Sequence, residues 1–101
     1  MTNNLNSVIV EGTITKIEKG EKAVYFTVCA YRHFRDSEGE FHEEASYFNI
    51  ESYGRLAESC DEILKENTIV RVVGRLKSIA GNVCIVAEHI EAKPPTANKE
   101  K

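Results

Sequence analysis

No stretch of this 101-residue chain approaches the ~20 consecutive apolar residues that cross a bilayer, so no transmembrane helix is expected. The start, Met1-Thr2-Asn3-Asn4-Leu5-Asn6, has neither the basic region nor the apolar core of a secretory signal, and the expected location is cytoplasmic. Cysteine is scarce and unpatterned. Cys29, Cys60 and Cys84 are an odd number at wide spacing without a CxxC pair, which leaves them as buried or half-buried free thiols. His33, His42 and His89 are equally scattered, so no metal site is expected. Positive charge is also short: the formal net charge is −3, against the profile of a generic basic nucleic-acid binder. Nothing pairs a nucleophile with a base and no glycine loop is built to cradle phosphate, so neither catalysis nor a cofactor is expected. Internal repeats and low-complexity blocks are absent.

What is present is enough for one small domain with one core. Residues 5–17 alternate Val8, Val10, Gly12 and Ile14 against Ile9, Glu11, Thr13 and Thr15, a long first strand in which Gly12 marks a bend or a close backbone approach. After a turn over 18–22, residues 23–34 put Val24, Phe26, Val28 and Ala30 on a core face, with Tyr25, Thr27, Cys29, Tyr31 and His33 outward. The polar link 35–45 reads as an exposed hairpin loop. A third strand follows, with Phe48 and Ile50 inward and Tyr47, Asn49, Glu51 and Tyr53 outward. Leu56, Cys60, Ile63 and Leu64 form the stripe of an amphipathic helix over 55–66, stopped by a left-handed Asn67. Strands over 68–77 and 83–91 flank a short turn. The fourth carries apolar residues on both faces, which suits contact with another subunit. Residues 92–101, with two prolines and no periodicity, are expected to be a disordered tail beyond a domain of residues 1–91.

Five strands with one helix between the third and fourth is the element order of an all-β oligonucleotide/oligosaccharide-binding (OB) barrel, a five-stranded Greek key whose second and third strands form the usual binding face. Alternation alone leaves open whether outward Tyr47 and Tyr53 cover the sheet, meet another subunit or offer their rings to a ligand. It equally leaves open whether the arginines are solvated or paired with nearby glutamates.

Several segments carry a resemblance. Asn6-Ser7-Val8-Ile9-Val10 with Gly12, Phe26-Thr27-Val28, Phe34-Arg35-Asp36, Tyr47-Phe48-Asn49-Ile50, Tyr53-Gly54-Arg55-Leu56-Ala57-Glu58 and Val73-Gly74-Arg75-Leu76 occur in the order found in bacterial single-stranded DNA-binding proteins of the replication type. Over residues 5–91 the chain resembles that family. The resemblance implies stacking of bases on Phe34, Tyr47 and Tyr53, with Tyr31 a further ring on the same face. Phosphate contacts would come from Arg32, Arg35, Arg55, Arg75 and Lys77. It also implies a homo-oligomer, a tetramer or else a dimer, that binds single-stranded DNA in replication, recombination and repair. Two departures are visible: the hairpin between the fourth and fifth strands is cut short, and the acidic tip through which the family recruits replication and repair proteins is missing, so those partners are not expected. A dimeric primosomal replication-restart OB protein and a protein-binding OB module are the alternatives.

Overall fold

The computed structural model describes residues 2–93. Five strands, β1 (Val8–Lys19), β2 (Ala23–Arg35), β3 (Phe41–Tyr53), β4 (Ile69–Ile79) and β5 (Asn82–Ala92), close into a ring in the order β1-β2-β3-β5-β4, with one helix, α1 (Gly54–Ile63), between β3 and β4. All neighbours are antiparallel except β3 and β5, which meet in parallel at Ile50↔Ile85 and Glu51↔Val86. This is the OB barrel the element order anticipates. The expected tail falls, from residue 94 onward, outside the described residues.

The core follows from the alternation. Ile14, Val24, Phe26, Val28, Ile50, Val70, Val72 and Ile85 point inward and are buried, and Ala57, Cys60 and Leu64 of the α1 segment plug one end of the barrel. Each large aliphatic group so buried contributes ~1.5–3 kcal/mol before the entropy of ordering is subtracted. The ring can be this narrow because two backbones come nearly into contact at glycine. A Cβ on Gly12 would stand 2.3 Å from the Cys29 carbonyl oxygen, and one on Gly74 would stand 2.2 Å from that of Val86.

Local geometry moves several boundaries. β1 begins at Val8, not at residue 5, because Asn6 acts as a side-chain strand: its Nδ2 donates to the Leu76 carbonyl (2.8 Å) and its Oδ1 accepts the Leu76 N–H (2.9 Å). Further along β1, a register shift between Ile14 and Lys16 reverses the alternation, so that Ile17 opposes Phe26 and packs on the core. The helix ends at Ile63, before the expected 66, since Leu64 is already extended (φ −89°, ψ 131°) with its N–H still bonded to Cys60 O. As a result Leu64 is buried and Ile63, expected in the apolar stripe, is exposed. Asn67 is left-handed as anticipated (φ 71°), but it serves the entry to β4, donating its N–H to Ile14 O at 2.7 Å.

The largest correction concerns residues 35–45. They are not a loop. The β2–β3 register runs unbroken from Ala23↔Tyr53 to Arg35↔Phe41, and only residues 36–40 connect the strands. Asp36 ties that turn: its Oδ1 accepts the N–H groups of Glu38 and Glu40, both at 2.9 Å. Residues 41–45 are exposed, as are Tyr31, Arg32 and His33 opposite them. The outer half of the hairpin therefore projects beyond the barrel core, and a strand wet on both faces carries the polar composition of a loop. The other hairpin is as short as expected, turning through Ala80 (φ 52°) and Gly81 (φ 84°), the two left-handed residues of a type I′ connection.

Candidate nucleic-acid interface

Because the β2–β3 register never slips, alternation assigns every residue of this ribbon to one of two sides. One side carries Ala23, Tyr25, Thr27, Cys29, Tyr31, His33 and Arg35 from β2, facing in turn Tyr53, Glu51, Asn49, Tyr47, Ala45, Glu43 and Phe41 from β3. Its rings are accessible, Tyr47 being 63 % exposed and Tyr53 45 %. A paired ribbon that holds exposed rings among polar side chains suits the flat face of another aromatic system.

Hydrogen bonds fix two parts of that side. At the barrel end, the Tyr53 hydroxyl donates to Glu51 Oε1 (2.6 Å), Lys77 Nζ donates to the same oxygen (2.8 Å) and the Cys84 thiol donates to Oε2 (3.3 Å). The Lys77 ammonium, and then the Tyr53 hydroxyl, hold the Glu51 carboxyl below its ordinary range. The same bonds push the Tyr53 phenol and the Lys77 ammonium up. Lys77 thus stands fixed 6.0 Å from the centre of the Tyr53 ring, which in turn meets Tyr25 edge-on at 6.2 Å. Farther along, Cys29 sits between its cross-strand partner Tyr47 and its neighbour Tyr31. Although it has outward parity it is only 1 % exposed, and its thiol beside the two hydroxyls pushes both phenols up.

Phe34 lies on the ribbon's opposite side. It is half-buried, its ring stacked on that of its cross-strand partner His42 (5.4 Å between centroids, 23°), with the Arg32 guanidinium 4.6 Å from its centre. His42 Nε2 in turn meets Asp36 Oδ2 at 2.6 Å, and that contact, with the turn's N–H groups, lowers the Asp36 carboxyl. The carboxylates of Asp36, Glu38 and Glu40 come close together, but Asp36 is occupied in tying the turn.

The nine residues singled out by sequence therefore form more than one group. Tyr31, Tyr47, Tyr53, Lys77 and Arg35 share the tyrosine side, Phe34 and Arg32 occupy the reverse, and Arg55 is exposed on the first turn of α1. Arg75, on the Lys77 side of β4, is paired with Glu88 at 3.4 Å. Among the described residues no carboxylate lies within 4 Å of the guanidinium of Arg32, Arg35 or Arg55, while Lys77 and Arg75 each have one. Sequence reasoning missed Phe41, which sits under Arg35, its guanidinium carbon 4.2 Å from the ring centre. The signal was there: Phe41 precedes Tyr47 by six residues, an even number, so extending the strand would have placed it on the tyrosine side.

Residues 5–82 match the profile of the single-strand binding protein family. The chain belongs to that family. Among its relatives, single-stranded DNA-binding protein 2 of Chlorobaculum tepidum is 35 % identical over 81 residues, covering 73 % of this chain and 55 % of that protein. The single-stranded DNA-binding protein of Aquifex aeolicus is 33 % identical over 78 residues, covering 71 % and 53 %. This family member therefore spans about half the length of the curated relatives it matches. In fold it is similar to the Plasmodium falciparum single-strand binding protein solved in complex with single-stranded DNA, with a TM-score of 0.78 at 17 % identity over 93 % of this chain and 99 % of that one.

Proposed function

We propose that this chain binds single-stranded DNA with little sequence preference, protecting it in the cytoplasm during replication, recombination and repair. The observation that carries the reading is the row of exposed tyrosines on one side of the β2–β3 ribbon of an OB barrel, in a member of this family. Bases stack on Tyr47 and Tyr53, with Tyr31 beside them, and stacking tolerates any base because every base has a π-face. Phe34, with Arg32, offers a stacking point on the reverse side to a strand that wraps over the ribbon's edge. Arg35, Arg55, Arg75 and Lys77 supply phosphate contacts, of which Arg35 and Arg55 need surrender no carboxylate partner among the described residues.

Assembly into a homo-oligomer, a tetramer by family analogy, is part of this reading. It is supported by exposed Ile9 and its half-buried cross-strand partner Val73, an apolar pair on the outer side of β1 and β4. A solution mass of a dimer would favour the primosomal alternative.

With no tryptophan in the chain, its own fluorescence comes from tyrosine, so stacking is read directly as quenching on titration with oligo(dT). Each of Tyr47→Ala and Tyr53→Ala should cost ~1–3 kcal/mol of affinity, and log K should fall with log salt at about −0.7 per phosphate neutralised. Equal binding to single strand and duplex, or full affinity in the double variant, overturns the reading.

A further inference from the structure

We infer that Phe41 and Arg35 form a further base-binding subsite at the far end of the β2–β3 ribbon, continuous with the tyrosine side and taking one nucleobase of a single strand together with an adjoining phosphate. The inference rests on the single-strand-binding reading above and lengthens its footprint.

Three independent observations carry it. Phe41 is 74 % exposed, more than any tyrosine of the ribbon, and packs against no part of the core cluster. A phenylalanine placed so far into water stabilises the fold little, and its π-face is available. Second, the Arg35 guanidinium lies over that ring at 4.2 Å, and among the described residues no carboxylate neutralises it. A planar cation resting on an aromatic ring offers a base a second stacking surface and keeps its edge donors for a phosphate oxygen. Third, Arg35↔Phe41 is the last rung of the unbroken register, and the turn beyond it is tied by Asp36, through the N–H groups of Glu38 and Glu40 and through His42. The pair is therefore carried at a fixed place and not on a waving loop.

Alternation puts Phe41 on the side of Tyr47 and Tyr53, six and twelve residues away. At ~3.3 Å per residue it stands about 20 Å beyond Tyr47 and about 40 Å beyond Tyr53. A single strand lying on the tyrosines reaches Phe41 only if it is long enough to run off the barrel along the ribbon.

That length dependence is the test. Oligo(dT) strands from the short and long ends of the ~4–16-nucleotide range covered by an OB fold are titrated against the intact protein, Phe41→Ala, Phe41→Tyr and the Tyr47→Ala/Tyr53→Ala double variant. On the long strand Phe41→Ala should weaken binding roughly 5- to 100-fold, the loss of one stacked base, while Phe41→Tyr keeps the intact protein's affinity. On the short strand Phe41→Ala should match the intact protein and the double tyrosine variant should not. If Phe41→Ala binds the long strand as tightly as the intact protein while the double tyrosine variant is weakened, the subsite is wrong and the tyrosine face stands. If the intact protein fails to prefer single strand over duplex, both fail. Phe41 is exposed, so its variants remove no core contact, and matched thermal midpoints verify that every variant is folded.

Discussion

Glu51 shows how one side chain can set the chemistry of a face it hardly covers. Its carboxylate collects the Tyr53 hydroxyl, the Lys77 ammonium and the Cys84 thiol, so three groups from three strands are oriented by one acceptor. Sequence alternation placed Glu51 outward, yet gave no sign of this role, because Lys77 and Cys84 reach it only through the β3–β5 pairing, 26 and 33 residues away along the chain. The arrangement predicts a pH effect. Since the folded carboxyl lies below its ordinary value of 4.5, the stability it contributes is complete above that pH and is lost as pH falls through the lower folded value. Glu51→Gln should lower the thermal midpoint at neutral pH and flatten its decline on acidification, read by following unfolding against pH. An acid limb as steep as that of the intact protein would mean that other carboxylates carry it.

At the scale of the strand and the hairpin, what could be read from the sequence depended on contrast between faces. Within the barrel, β2 and β3 meet core on one side and water on the other, so Val24, Phe26, Val28 and Ile50 declared their strand unambiguously. Beyond it both faces are wet and the alternation fades, which is why the polar stretch 35–45 reads as a loop although 41–45 are strand. With them went Phe41. Phe34 was recognised as a candidate ring, but its side of the ribbon depended on knowing that the register continues past it. Cys29 has outward parity and is buried all the same, its thiol lying beside the hydroxyls of Tyr31 and Tyr47. Gly12, by contrast, was legible as a point of close approach. The geometry makes that quantitative: Gly12→Ala or Gly74→Ala should destabilise by at least ~1–3 kcal/mol, because the new methyl meets a backbone carbonyl that cannot rotate away. Denaturant titration of either variant measures it, and a loss well under ~1 kcal/mol would mean that the barrel relaxes there more easily than its packing implies.

For the whole molecule, ring closure gives each strand of the barrel a neighbour on both sides, while the outer β2–β3 ribbon, where β2 has passed its last β1 partner at Cys29, is paired only to itself. Closure is uneven, however. Thirteen-residue β2 and β3 are paired along their whole length, whereas β3 and β5 meet at two register positions. Amides whose N–H bonds cross the β3–β5 seam should therefore exchange with solvent ahead of those bonded between β2 and β3 inside the barrel, and uniform protection around the ring would contradict this. Glu51 belongs to that short seam through its backbone and bridges it through its side chain to Lys77 and Cys84. The bonds that aim Tyr53 are thus also the stitches that keep the cylinder shut, and a phosphate drawing Lys77 away would be pulling at the closing thread.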